Sequence, residues 1–157
     1  MKSVNLRRFS FGTTSAIVTS MGMGVGLNAA VAPRSTIVSG LLIIAIADNI
    51  SDSLSIHLYQ ESEGLEARAA FRATITNMFA RFFATATFIA LVVLVPTAFM
   101  GPVLLAWGLA LLVGLTWLLA RARNVPVIPE IIKHVAVAAL VVLVSRAIGT
   151  WIRAHVG

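Results

Sequence analysis

Apolar residues fill five long runs of the chain, separated by short polar or proline-bearing breaks. The runs cover about residues 9–32, 37–58, 65–95, 102–120 and 131–153. At 1.5 Å per residue, each is about long enough to cross ~30 Å of hydrocarbon as a helix. The third, ~31 residues or ~46 Å, exceeds that thickness, so its first turns are expected to stand in water. Pro33-Arg34, a polar connection after Leu58, the turn TAFMG and the loop RARNVPVIPE with Pro126 and Pro129 supply the breaks. No run alternates as a strand does, and none repeats another. The pattern predicts an all-α fold, an integral membrane bundle of five transmembrane helices in a single domain over residues 1–157.

Composition agrees. Hydrophobic residues make up 59% of the chain and charged ones 11%, where a soluble domain carries about a quarter. No cysteine is present, which excludes disulfides, iron–sulfur clusters and zinc–thiolate sites. The basic residues gather at helix ends rather than on one face, so they indicate topology and not nucleic acid. Lys2, Arg7, Arg8, Arg68, Arg72, Arg121, Arg123 and Lys133 fall on one side, Arg34 and Arg153 on the other. This asymmetry puts the N-terminus inside and the C-terminus outside, in a membrane expected to be the bacterial inner (cytoplasmic) one. The first run has a basic start and an Ala30-Val31-Ala32 end, as a signal peptide does. Its 24 residues are too many for an apolar core of ~7–15, so it is read as a retained first helix. Trp107, Trp117 and Trp151 are expected near the membrane interfaces.

The second run, LLIIAIADNISDSLSIHLYQESE from Leu41, carries two acids at mid-depth. Asp48 is the twelfth of the 22 residues between Ile37 and Leu58, and Asp52 lies one turn on. At ~100° per residue, Asp48, Ser51, Asp52, Ser55 and Tyr59 share one stripe. An aspartate at a helix centre costs ~2.5–3.5 kcal/mol on insertion scales. Two of them point either to buried counter-charges or to a cation site. The counter-charges on offer are Arg81, at a depth that suits Asp52, and Arg146, whose long stem could reach Asp48. His57 is expected at the surface, and Glu61, Glu63 and Glu66 beside Arg68 and Arg72 as a solvated cluster or a weak cation funnel.

The first helix places Ser15, Thr19, Gly22 and Gly26 on one small-residue stripe, suited to close packing or dimerisation. Met21 and Met23 fall near its midpoint, level with Asp48. Thioether sulfur beside carboxylate oxygen suits borderline divalent ions such as Fe²⁺. Gly22–Gly26 is spaced GxGxG within an apolar run and carries no phosphate-loop signal, and no catalytic serine–histidine–acid set or metal-hydrolase motif exists.

Five helices, a glycine-rich first helix and the second-helix stretch IAIADNISDSLSIHLYQESE resemble the vacuolar iron transporter family. Ala47-Asp48 matches the family's mid-membrane Ala-Glu position. The resemblance implies a homodimer, with first helices at the two-fold axis, moving Fe²⁺ or Mn²⁺ out of the cytoplasm in exchange for protons. The family's first-helix aspartate falls at Ser15, its second-helix methionine at Ile56, and its cytosolic helical domain is replaced by a short connection.

The expectation is therefore a divalent metal cation transporter and not an enzyme. Asp48 and Asp52 are the expected ligands, with Met21, Met23 and Ser55 among the neutral ones. Fe²⁺ or Mn²⁺ is the cargo rather than a permanent cofactor. Membrane lipid, the metal ion and a second copy joined through helix 1 are the expected partners, with no nucleic acid. The alternative is a non-transporting structural membrane dimer whose aspartates are neutralised by Arg81 and Arg146.

Overall fold

A computed structural model describes the backbone of residues 2–62, 64 and 67–156, and their side chains except at 2–11, 60, 67, 69 and 70. The order is α1 (Lys2–Ala29), α2 (Arg34–Ile43), a π-helical turn (Ile44–Asp48), α3 (Asn49–Ser62), α4 (Ala67–Leu94), α5 (Thr97–Ala122) and α6 (Val127–His155). The described residues include no strand. α2, the π turn and α3 form one continuous rod, since each cap residue between them keeps right-handed helical dihedrals. Four stretches are long and apolar enough to cross a membrane: Arg34–Tyr59, Phe71–Leu94, Thr97–Ala122 and Val127–His155.

The bundle is apolar outside and partly polar inside. Ile43, Leu54, Phe83, Leu94, Leu140 and Leu143 are exposed, while Ser20, Asn49, Asn77, Arg81 and Thr85 are buried. Water would favour the reverse, whereas hydrocarbon around the bundle makes this arrangement stable. The interior lines run at every fourth residue. On α5 they are Met100, Leu104, Gly108, Leu112, Thr116 and Ala120. On the second rod they are Ile37, Leu41, Ala45, Asn49 and Ser53. Each four-residue step overshoots an α-helical turn by ~40°. The π turn, where the Asn49 N–H bonds to the Ile44 carbonyl, is wider and takes up part of that drift. It keeps Asn49 and Ser53 facing inward below Leu41.

α1 is the central element, packed on α2, α4, α5 and α6. Glycines permit the close approach. A β-carbon on Gly149 of α6 would lie 2.1 Å from the Gly26 carbonyl oxygen, and one on Gly26 would lie 3.0 Å from the Ser145 carbonyl. The small-residue stripe of α1 is thus covered by Ser145-xxx-Gly149 of the same chain. Close packing, one of the two uses expected of this stripe, is what its glycines serve within the chain. A glycine stripe marks close helix contact, and here the nearest suitable helix is the chain's own α6.

The pairings Gly12–Asn77, Gly26–Gly149, Met21–Gly108 and Met23–Gly40 show α1, α4 and α6 running one way and α2–α3 and α5 the other. At the end where α1 stops, Arg34 donates to the Val93 and Val95 carbonyls at 2.6 and 2.8 Å, capping α4 with a cation.

Several boundaries differ from those set by prolines. α5 starts at Thr97 and takes Pro102 inside it, and α6 starts at Val127 with Pro129 as its third residue. In a first helical turn the backbone N–H has no intrahelical acceptor, so Pro129 costs little. The longer α5 puts Trp107 about 15 Å from its start, near mid-helix rather than at an end. There its indole N–H donates to Thr87 Oγ1 at 2.9 Å.

Candidate functional site

The inward line of α4 changes character halfway. Thr74, Asn77, Arg81 and Thr85 are polar, and Phe88 and Val92 beyond them are apolar. Spacings of three or four residues hold all six on one face. Arg81 lies ~20 Å from the Leu94 end and is only 2% exposed. Its Nη2 meets Asp48 Oδ2 at 2.8 Å, and its Nη1 meets Asp52 Oδ2 at 2.5 Å. Nη1 also donates to the Gly12 carbonyl at 3.3 Å. One guanidinium therefore bridges two acids one turn apart and ties both to α1.

The two acids are not enclosed. Their side chains are 43% and 38% exposed, on the outward flank of the rod that also carries exposed Ser51, Ser55 and Tyr59. Formal charge leaves one negative unit unmatched at the site.

Arg146 does not contribute. It is exposed on α6, which packs on α1 and α5, so α1 stands between it and Asp48. The pairing of Asp48 with Arg146 is thus corrected to Arg81 holding both acids. Met21 is fully buried against Gly108 of α5, and Met23 lies against Gly40 of α2. Both are nearer the Ala29 end than Gly12, the residue that actually touches Arg81. Taking helix 1 as 9–32 rather than Lys2–Ala29 displaced its apparent midpoint. Ser55 Oγ donates to the Ser51 carbonyl at 3.0 Å, a bond within its own helix. Of the five expected ligands the structure brings together Asp48 and Asp52 alone. Among the described residues no group of three or more His, Asp or Glu is placed to hold a metal.

Residues beside this cluster went unread in the sequence. Asn77, 1% exposed, lies where a β-carbon on Gly12 would come within 2.0 Å of its Oδ1. Asn49 donates to the Met78 carbonyl at 2.8 Å, and Ser53 is buried one turn further along. His57, expected at the surface, is only partly so: its side chain is 27% exposed, with Nε2 3.4 Å from Glu61 and Nδ1 buried. Glu63 and Glu66 of the expected acidic cluster lie outside the described residues.

A cavity of about 450 Å³ opens elsewhere, between α1, α5 and α6. Thr14, Ser15, Thr116, Arg123, Glu130 and His134 are among its lining residues, and His134 Nδ1 is 3.3 Å from Thr116 Oγ1. No residue of α3 or α4 lines it, so it does not lead to the acids. No protein-family model, no curated protein and no solved structure matches this chain.

Proposed function

We propose that the protein carries divalent metal cations, Fe²⁺ or Mn²⁺, across a membrane, with Asp48 and Asp52 as the binding pair and Arg81 as a tethered stand-in for the cation. The observation that carries this reading is the shared guanidinium. Two half-exposed carboxylates at mid-span hold a single positive charge between them. An unmatched acid at that depth is costly, and intramembrane acids commonly mark ion pathways. A divalent ion on the same two carboxylates would neutralise the pair and release Arg81 toward Gly12 and Asn77, taking the formal charge of the three side chains and the ion from one negative unit to one positive. Protons on the carboxylates would release it too, which supplies a route to exchange of metal for protons.

In this reading the chain crosses a bacterial inner membrane five times, N-terminus inside, as the distribution of Lys and Arg supports. With helix 1 enclosed, a homodimer would meet on the outward flank of α3, where the acids of two copies could share an ion. The structural alternative keeps support from the same ion pairs: Arg81 already neutralises half of the acidic charge, and the protein would then bind no metal.

Manganese uptake into proteoliposomes separates the two. Asp48→Asn is expected to slow uptake at least tenfold while the protein stays folded and reconstituted. Uptake by Asp48→Asn at the wild-type rate would remove Asp48 from the site.

A further inference from the structure

Among the described residues, the buried side-chain nitrogen and oxygen atoms without a hydrogen-bond partner number six. They are Asn49 Oδ1, Ser53 Oγ, His57 Nδ1, Asn77 Nδ2 and Oδ1, and Arg81 Nε. All belong to α3 and α4. Antiparallel pairing of α3 with α4 brings those of Asn49, Ser53, His57 and Arg81 to one seam, and Asn77 continues it at Gly12 of α1, which Arg81 also meets. Asp48 and Asp52 meet Arg81 across it, and Asn49 meets the carbonyl of Met78. Ser53 and then His57 follow toward the Ser62 end, at one-turn intervals.

Asn49, Ser53, Asn77 and Arg81 are each at least nine-tenths buried. A buried polar atom left dry costs at least as much as a lost hydrogen bond, and six in one seam would offset much of a domain's marginal stability. Buried water normally satisfies such groups, provided two to four polar partners converge on it. Here they converge over half the length of the rod.

The packing of α1 and α2 on the other half of α4 is different. Above Arg81, Ser20 Oγ donates to Thr85 Oγ1 at 3.2 Å. Beyond that bond the buried residues are Val25, Ile37, Leu41, Phe88 and Val92, all apolar. Nothing there can hold water.

We infer that water enters the seam between α3 and α4 from the Ser62 end and reaches the Arg81 guanidinium, forming an aqueous half-channel closed by the Ser20–Thr85 hydrogen bond and the apolar plug beyond it. His57 and Glu61 stand at its mouth. Its use rests on the transport reading: the seam solvates the guanidinium when a cation or proton releases it from the acids, and exposes that step to one side of the membrane only. Its existence does not rest on transport.

The chain lacks cysteine, so single cysteines report directly. In reconstituted full-length protein, Ser53→Cys and Asn77→Cys are expected to react with N-ethylmaleimide at least tenfold faster than Thr85→Cys and Val92→Cys, because the reactive thiolate forms only in water. Pre-treatment with a charged, impermeant thiol reagent from the Ser62 side should protect Ser53→Cys. The unmutated protein supplies a second readout. Water-to-protein polarisation transfer in solid-state NMR should reach Asn77 Nδ2 and Arg81 Nε as fast as it reaches exposed amides. Rates for Ser53→Cys and Asn77→Cys equal to Val92→Cys, or slow transfer to Arg81 Nε in the wild type, would overturn the half-channel. Either result would leave the manganese-uptake test of Asp48 untouched.

Discussion

Replacing Arg81 by methionine is expected to destabilise the protein by about 3–5 kcal/mol, the usual loss when one partner of a buried ion pair is removed. Methionine keeps much of the stem's volume, so the loss is chiefly electrostatic. Asp48 and Asp52 would be left at mid-span without the guanidinium that bridges them, and the Gly12 carbonyl would lose its donor. Adding Asp48→Asn and Asp52→Asn to Arg81→Met removes the unpaired charges and should recover most of the lost stability. Thermal unfolding in detergent, followed by circular dichroism, gives both values. If the single and triple variants are equally unstable, Arg81 acts through packing rather than charge.

The second large effect lies at the α1–α6 contact. A β-carbon on Gly149 would sit 2.1 Å from the backbone oxygen of Gly26 and 3.1 Å from the Ala29 β-carbon. Backbone cannot rotate aside, so the helices must separate. Gly149→Ala is expected to cost about 1–3 kcal/mol as an overpacking substitution, and Gly149→Leu still more. Gly114 is the internal control, since nothing lies within 4 Å of its added β-carbon. Gly114→Ala should be neutral or stabilising by about 0.5–1 kcal/mol, because alanine loses less backbone entropy in a helix. Reversible unfolding in mixed detergent micelles compares the two directly. A harmless Gly149→Ala would mean that α1 and α6 are further apart than described.

Much of this architecture was written in hydropathy. Apolar runs broken by Pro33, Pro96 and Pro126 placed the long helices, because a helix longer than the hydrocarbon is thick needs no tertiary information to be recognised. Ends were less legible: Pro102 read as the first residue of its helix and Pro129 as part of a loop, yet a proline near a helix start breaks few bonds and both lie inside helices. The pairing of Asp52 with Arg81 was also legible, since depth along two sequence-adjacent helices is simple arithmetic. That Arg81 would take Asp48 as well was not. It depends on α1 coming between α3 and α6, which no local pattern encodes.

Rotation about each helix was the hardest quantity. Asp48, Ser51, Asp52, Ser55 and Tyr59 do share a stripe, but it lies on the outward flank, while Asn49 and Ser53 face in. In a membrane helix the interior is not marked by hydrophobicity, because lipid is as apolar as a core. The π turn before Asn49 further shifts the register in a way that an even 3.6-residue period misses. A usable signal did exist. Thr74, Asn77, Arg81 and Thr85 form a polar line on an otherwise apolar helix, and Asn49, Ser53 and His57 form another at four-residue intervals. Matched against each other, those two lines outline the seam.

Manganese titration calorimetry on the purified protein puts the central claim, that a divalent cation can take the place of Arg81 on the two acids, to its most direct trial. Wild type should bind manganese with a resolvable heat, and both Asp48→Asn and Asp52→Asn should lose it while unfolding as cooperatively as wild type. No heat from wild type, or binding that survives both substitutions, would contradict the account and leave a bundle in which Arg81 simply neutralises its neighbours.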